Sequence, residues 1–172
     1  MLEEYDPFTA FYNKLWQVLE AHEGLSALVR SGNRIKFVKD AGDHDPRKSG
    51  VDAGTTPELM IIPDYFTGTL QLDNSQALLD RRWSLVIKTS FRMLNRGLFP
   101  IEYELFKALQ GGKKELQDFK YNGQNLILHV QLERGSSKIP DVDRENYNPY
   151  NISWFSMWSV VTRMNMCLDQ SE

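Results

Sequence analysis

The sequence predicts an α+β fold, a mainly antiparallel sheet packed by two helices, and three observations carry that reading. Two segments, around Phe8 to His22 and Ile101 to Leu109, repeat apolar residues at spacings of three and four, as the buried face of a helix does. Three others, around Arg82 to Ser90, Leu126 to Leu132 and Ser153 to Leu168, alternate along the chain as strands do. The resulting order is helix, strands, helix, two strands, with no internal repeat and no linker between two hydrophobic blocks, so one domain over residues 1–172 is expected.

Taken in order, Asp6-Pro7 opens the first helix, because the carboxylate can accept from the free N–H groups of the first turn and proline fits the first helical position. Phe8, Phe11, Tyr12, Leu15, Val18, Leu19 and His22 form its apolar stripe, which Gly24 is expected to interrupt. Leu25 to Val29 adds another turn, Ser31-Gly32-Asn33 breaks it, and Ile35-Lys36-Phe37 alternates like a short strand. Residues 40–57 hold glycine, proline and charge with almost no large apolar group, and read as a long polar loop.

Glu58 to Ile62 reads as a buried strand that Pro63 stops, and the stretch with Phe66, Leu70 and Leu72 as a further extended segment. The next strand, Arg82 to Ser90, places Trp83, Leu85 and Ile87 on one face. Asn95-Arg96-Gly97 turns the chain into the second helix, where Pro100 occupies a first position and Ile101, Leu105, Phe106 and Leu109 form the stripe. Gly111-Gly112 is expected to end it. Asn122-Gly123 marks a tight hairpin turn before a strand on which Leu126, Leu128, Val130 and Leu132 alternate. After a second polar loop at 135–151, the last strand carries Trp154, Trp158, Val160, Met164 and Met166 on one face and Phe155, Met157 and Val161 on the other. Lys88, Gln131 and Arg163 fall on or near a second sheet face that meets water or a partner.

Composition narrows the function classes. The chain is 41% hydrophobic and 25% charged, outside the regime of disorder, and its formal charge of -3 gives no bulk electrostatic reason to bind nucleic acid or anionic lipid. A single cysteine, Cys167, excludes an intramolecular disulfide and a cysteine zinc cluster, and a reducing cytoplasm fits best. No apolar run approaches the ~20 residues that span a bilayer, so no membrane association is expected.

No motif for chemistry emerges. Gly111-Gly112 follows a helix where a phosphate loop would open one, no GxSxG elbow is present, and Cys167 sits in an apolar strand as a structural thiol does. His22 reads as a helix end, where its charge favours the C-terminal dipole, and His129 as a sheet-surface residue. Asp43-His44-Asp45 holds metal-ligand types, but three adjacent loop residues rarely converge on one ion. Glu102 and Glu104 are accounted for by the positive end of the second helix. Arg81-Arg82, with Lys88, Arg92 and Arg96, reads as a charge-protected strand edge or as a basic face for phosphate or an acidic partner. Trp154, Phe155, Met157 and Trp158 read as core, with an interface as the alternative. No enzyme activity, metal or cofactor is expected.

In element order, size and loop placement the chain resembles the tail terminator (tail completion) proteins of long-tailed bacteriophages and related prophages. The resemblance rests on the opening helix, the strands ELMII and RRWSLVIKTSF, the helix IEYELFKAL and the closing strands LILHVQLE and WFSMWSVVTRMNM. It implies a homo-oligomeric ring, commonly a hexamer, that stops tail-tube polymerisation and presents a surface to the head connector. It also implies that function lies in sheet edges and loops, in the cytoplasm during assembly and then in the virion. The contact residues expected on that basis are Asp43, His44, Arg47 and Lys48 in the first loop and Arg144, Tyr147 and Tyr150 in the second. Two other readings stand beside it: a monomeric protein-binding adaptor using the same loops, and a small enzyme with a helix–sheet pocket near His129 or His44.

Overall fold

A computed structural model describes residues 6–30, 34–35, 57–66, 71–73, 76–90, 98–134 and 153–165. The first helix, α1 (Pro7–Ala21), starts where Asp6 predicts it: one carboxylate oxygen accepts from the Phe8 and Thr9 N–H groups at 2.9 and 3.0 Å, and the other from the Thr9 hydroxyl at 2.7 Å. Such a cap stabilises a helix by about 1 kcal/mol. The helix ends at His22, whose extended backbone (φ -82°, ψ 106°) separates it from a short α2 (Glu23–Leu28). Gly24 therefore lies inside α2 and does not make the break. A Cβ there would sit 2.2 Å from Glu104 Oε2, the far end of a flexible side chain.

The strands are β1 (Arg34–Ile35), β2 (Glu58–Phe66), β3 (Gln71–Asp73), β4 (Gln76–Ser90), β5 (Lys120–Tyr121), β6 (Gln124–Asn125), β7 (Ile127–Arg134) and β8 (Ser153–Asn165), with α3 (Phe99–Gln117) between β4 and β5. The main sheet has the order β1-β2-β4-β8-β7, with β3 on the start of β4. Every pairing in it is antiparallel except β1 with β2. The α+β class and the antiparallel sheet are as predicted, with α2 added to the two main helices.

Register explains the core. Leu59 pairs with Ile87, Ile61 with Leu85, Trp83 with Val160 and Val130 with Thr162, so one face carries all of these towards the helices. Phe11, Leu15 and Leu19 of α1 and Ile101, Leu105 and Leu116 of α3 cover that face. Trp83 is its centre, 5.3 Å from the Phe11 ring and 6.3 Å from that of Tyr12, and its indole N–H donates to Thr162 Oγ1 at 3.1 Å. Burying a side chain of this kind contributes roughly 1.5–3 kcal/mol.

Three expectations are corrected here. Pro63 does not stop β2, which runs on to Phe66; among the described residues β1 covers only Leu59 and Met60, which leaves the Pro63 stretch at the sheet margin where proline is tolerated, and the register slips just after it. Gly111-Gly112 does not end α3, which continues to Gln117. Gly112 instead lets the two long helices approach, since a Cβ on it would meet Val18 Cγ1 at 2.1 Å. On β7 the strict alternation fails: Leu126 and Ile127 are both buried, a bulge falls between Ile127 and His129, and Leu128 turns outwards.

Two further local readings are reproduced. Asn122 and Gly123 both take positive φ, 49° and 80°, in the tight turn joining β5 to β6. Gln131 and Arg163 are exposed on the outer face. The side chains of Lys88, Trp154, Phe155 and Met157 lie outside the described residues, as do both long polar loops beyond Pro57, the turn at 95–97, Met166 and Cys167.

Candidate assembly surface

The contact residues expected from the resemblance, Asp43, His44, Arg47, Lys48, Arg144, Tyr147 and Tyr150, all lie outside the described residues. A different surface stands out. Among the described residues the exposed large hydrophobic side chains are Ile62 (38% exposed), Phe99 (54%), Tyr103 (62%), Phe106 (40%) and Leu128 (49%). Phe99, Tyr103 and Phe106 are spaced four and three apart, which aligns them on one side of α3. Gln110 and Lys113 continue the same row and form, with His129, Gln131 and Leu132 of β7, a groove of about 340 Å³.

Local geometry holds the stripe in place. The Phe106 ring lies 6.2 Å from Trp158 of β8, tilted by 52°, so it anchors the stripe to the sheet, and the Lys107 ammonium sits 4.6 Å over the Tyr103 ring. Lys107 also pairs with Glu104 at 2.6 Å, and Glu104 reaches His22 Nε2 at 2.7 Å. The hydrogen bond from Lys107, and then that from His22, hold the Glu104 carboxyl below its ordinary value. Sequence reasoning placed Phe106 on the buried stripe; it stands at the margin, where the same spacing continues onto the exposed side. The signal for the outer stripe was present in the spacing of Phe99, Tyr103 and Phe106.

Beside the stripe, β7 ends the sheet, and among the described residues it pairs only with β8. Its outer face belongs to a set of mutually paired charges. Arg163 donates twice to Asp80 at 2.7 and 2.8 Å, and Arg82 donates to Glu133 at 3.0 Å. The Arg163 hydrogen bond lowers the Asp80 carboxyl, and Asp80 in turn raises the Arg163 guanidinium. Exposed pairs like these are largely offset by solvent screening and side-chain entropy, so they set the character of the face more than its stability.

The strand-edge reading of Arg81-Arg82 is overturned, and the two arginines are parted. The β4 strand lies inside the sheet, between β2 and β8, so the pair is no edge, and strand alternation sends the two residues to opposite faces. Arg81 lies on the helix side, its guanidinium 4.6 Å from the Phe8 ring and 4.8 Å from that of Trp83, and burial lowers its pKa despite the nearby Asp6 carboxylate. Arg82 is on the outer face with Glu133. Arg81 and Arg82 therefore share no face, and the Lys88 side chain, Arg92 and Arg96 lie outside the described residues.

Among the described residues no group of three or more His, Cys, Asp or Glu side chains could hold a metal ion, and no helix is long and apolar enough to cross a membrane. His129 is exposed on the sheet, as its alternation implied, and His44 is outside the described residues.

Fold and surface together define an α+β domain with one helix-covered sheet face, a second face that carries paired charges around Asp80, Arg82, Glu133 and Arg163 and buried Ser84, Val86 and Ser159, and an apolar margin along its β7 edge. No protein-family model matches the sequence, and no curated protein matches it. Among solved structures the chain is similar to one from the virion of a native gene transfer agent particle, at 15% sequence identity and a TM-score of 0.52. The likeness covers 94% of this chain and 98% of that one. The two share a fold along nearly their whole lengths.

Proposed function

We propose that this protein is a structural component of a phage-like virion, a tail terminator that assembles as a ring, caps the tail tube and joins it to the head. The observation that carries the reading is the end-to-end likeness to a virion chain of almost the same extent. The sheet margin supports it independently. A cap on a tube of repeating subunits meets the same surface many times, so a symmetric ring of identical chains is the economical match. Each chain then needs two surfaces for its neighbours and others for tube and head, and its role requires no reaction, metal or cofactor.

The test is disruption of the gene in a host that produces such particles, with the particles imaged by electron microscopy. Unjoined heads and tails of uncontrolled length, restored by supplying the native chain, are expected. Particles of normal length with heads attached would refute the role.

A further inference from the structure

We propose that the margin formed by β7 and the α3 aromatic stripe docks onto the β1–β2 margin of a second copy of this chain, head to tail, extending the sheet from one subunit to the next. The inference rests on the assembly reading above and names the surfaces by which the ring closes.

Strand direction makes the match possible. The β2, β4, β8 and β7 strands alternate in direction, so β7 runs opposite to β2 and to its parallel neighbour β1. When a second copy is placed beside the first in the same orientation, β7 of one meets β1–β2 of the next as an antiparallel pair. That is the more favourable strand pairing, and it keeps the helices of both copies on one side. Had the two edges run the same way, this repeat would have required parallel pairing.

The apolar side chains fall where such a contact needs them. Of the five exposed large hydrophobics among the described residues, Leu128 and the α3 stripe lie along the β7 margin, the stripe in the helix layer, and Ile62 lies on β2 beyond the residues that β1 covers, on the outer face where it pairs with Ser84. A two-fold pairing of β7 with β7 would leave Ile62 uncovered; the head-to-tail repeat uses both margins.

Size agrees too. The eight residues of β7 extend about 27 Å and the nineteen of α3 about 28 Å, and Gln110 and Lys113 lie beside His129 to Leu132 while Phe106 reaches Trp158 beside the end of β7, so strand and helix share at most that length. With a helix of ~10 Å diameter lying on a sheet, their common face is at most roughly 27 by 20 Å, about 500 Å² on each partner and ~1,000 Å² in all. This is the size at which specific interfaces begin. A single contact is then modest, and closing a ring reinforces every contact in it.

The experiment is light scattering on the full chain and two edge variants, Leu128→Asp on β7 and Ile62→Asp on β2, with folding checked by circular dichroism. The native chain is expected to form a closed oligomer larger than a dimer. Each variant alone should need at least roughly tenfold more protein to associate. Mixed in equal amounts, the variants should form a heterodimer of twice the 20.0 kDa subunit mass, because one β7 margin and one β1–β2 margin remain intact between them. If Leu128→Asp disturbs folding, Tyr103→Asp on the exposed stripe takes its place. A native chain that stays monomeric at every concentration overturns the inference, as does association that Ile62→Asp leaves unchanged, or folded variants that fail to pair. These results concern the contact between copies, and the particle images judge the role in the virion separately.

Discussion

Adjacent glycines in α3 should respond to alanine in opposite directions. Alanine is better than glycine inside a helix by about 1 kcal/mol, and this gain applies to both Gly111 and Gly112. At Gly111 an added Cβ meets nothing within 4 Å, so Gly111→Ala should stabilise by roughly 0.5–1 kcal/mol. At Gly112 the same atom would lie 2.1 Å from Val18 Cγ1, and 3.3 and 3.4 Å from Val18 Cβ and Cγ2. Val18 cannot swing away cheaply, because a β-branched side chain in a helix is held in one χ1 well about 90% of the time. Overpacking of this kind costs about 1–3 kcal/mol, which offsets the propensity gain and leaves a net loss of up to about 2 kcal/mol.

Urea denaturation of both variants tests this, because their difference cancels the helix propensity and reads the contact between α1 and α3. A gap of about 1–3 kcal/mol is expected with an unchanged slope, close to 1 M in midpoint. Val18→Ala removes two methyl groups and should cost about 1.6 kcal/mol in the native chain. In the Gly112→Ala background it should cost less, since it also relieves the overlap. If Gly111→Ala and Gly112→Ala prove equally stable within about 0.5 kcal/mol, the close approach of the two helices is wrong.

Other consequences follow from single contacts. Thr162→Val should destabilise by about 1–3 kcal/mol by leaving the buried Trp83 N–H without its acceptor, and much less once Trp83→Phe has removed the donor; equal costs in the two backgrounds would refute the bond as the cause. Because the Glu104 carboxyl is held below its ordinary value, its contribution is complete above the usual glutamate range and is lost as pH falls through the lowered value. Glu104→Gln should therefore lower the urea midpoint at neutral pH and flatten its decline in acid, and an acid limb identical to the native one would count against the pairing. Gly123→Ala, at φ 80°, should cost about 1–2 kcal/mol in thermal or urea unfolding, whereas no loss would mean the turn does not hold that conformation.

Much of the fold was legible because its signals are local. The Asp6 cap, the α1 stripe, the alternation of Trp83, Leu85 and Ile87 and the Asn122-Gly123 turn each depend on neighbours within a few residues. What escaped depends on distant partners. Glycine stops a helix or admits a neighbour with the same two letters, and only Val18, on another helix, decides which applies at Gly112. Whether Pro63 ends a strand depends on how much of its outer side another strand covers. The basic pair at 81–82 looked like an edge because pairing order, which sets β4 inside the sheet, has no local signature. The candidate surface was half legible: the spacing of Phe99, Tyr103 and Phe106 is visible in the sequence, but not that this side of α3 faces away from the core.

The bulge in β7 links these points to assembly. Counting back by twos from buried Val130, strict alternation would have turned Leu128 inwards; instead the bulge buries both Leu126 and Ile127 and leaves Leu128 about half exposed. Fully burying a leucine contributes roughly 1.5–3 kcal/mol, so an isolated chain forgoes part of that while presenting an apolar residue on a sheet margin that invites association. In the proposed contact, a second copy over β7 would recover it. Because the inner residues around Trp83 hold the fold and Leu128, Tyr103 and Ile62 contribute none of its buried core, the margin can be altered without unfolding the subunit. Loss of assembly in a chain that still unfolds at the native urea midpoint is thus the result that assigns Leu128 to the contact between copies.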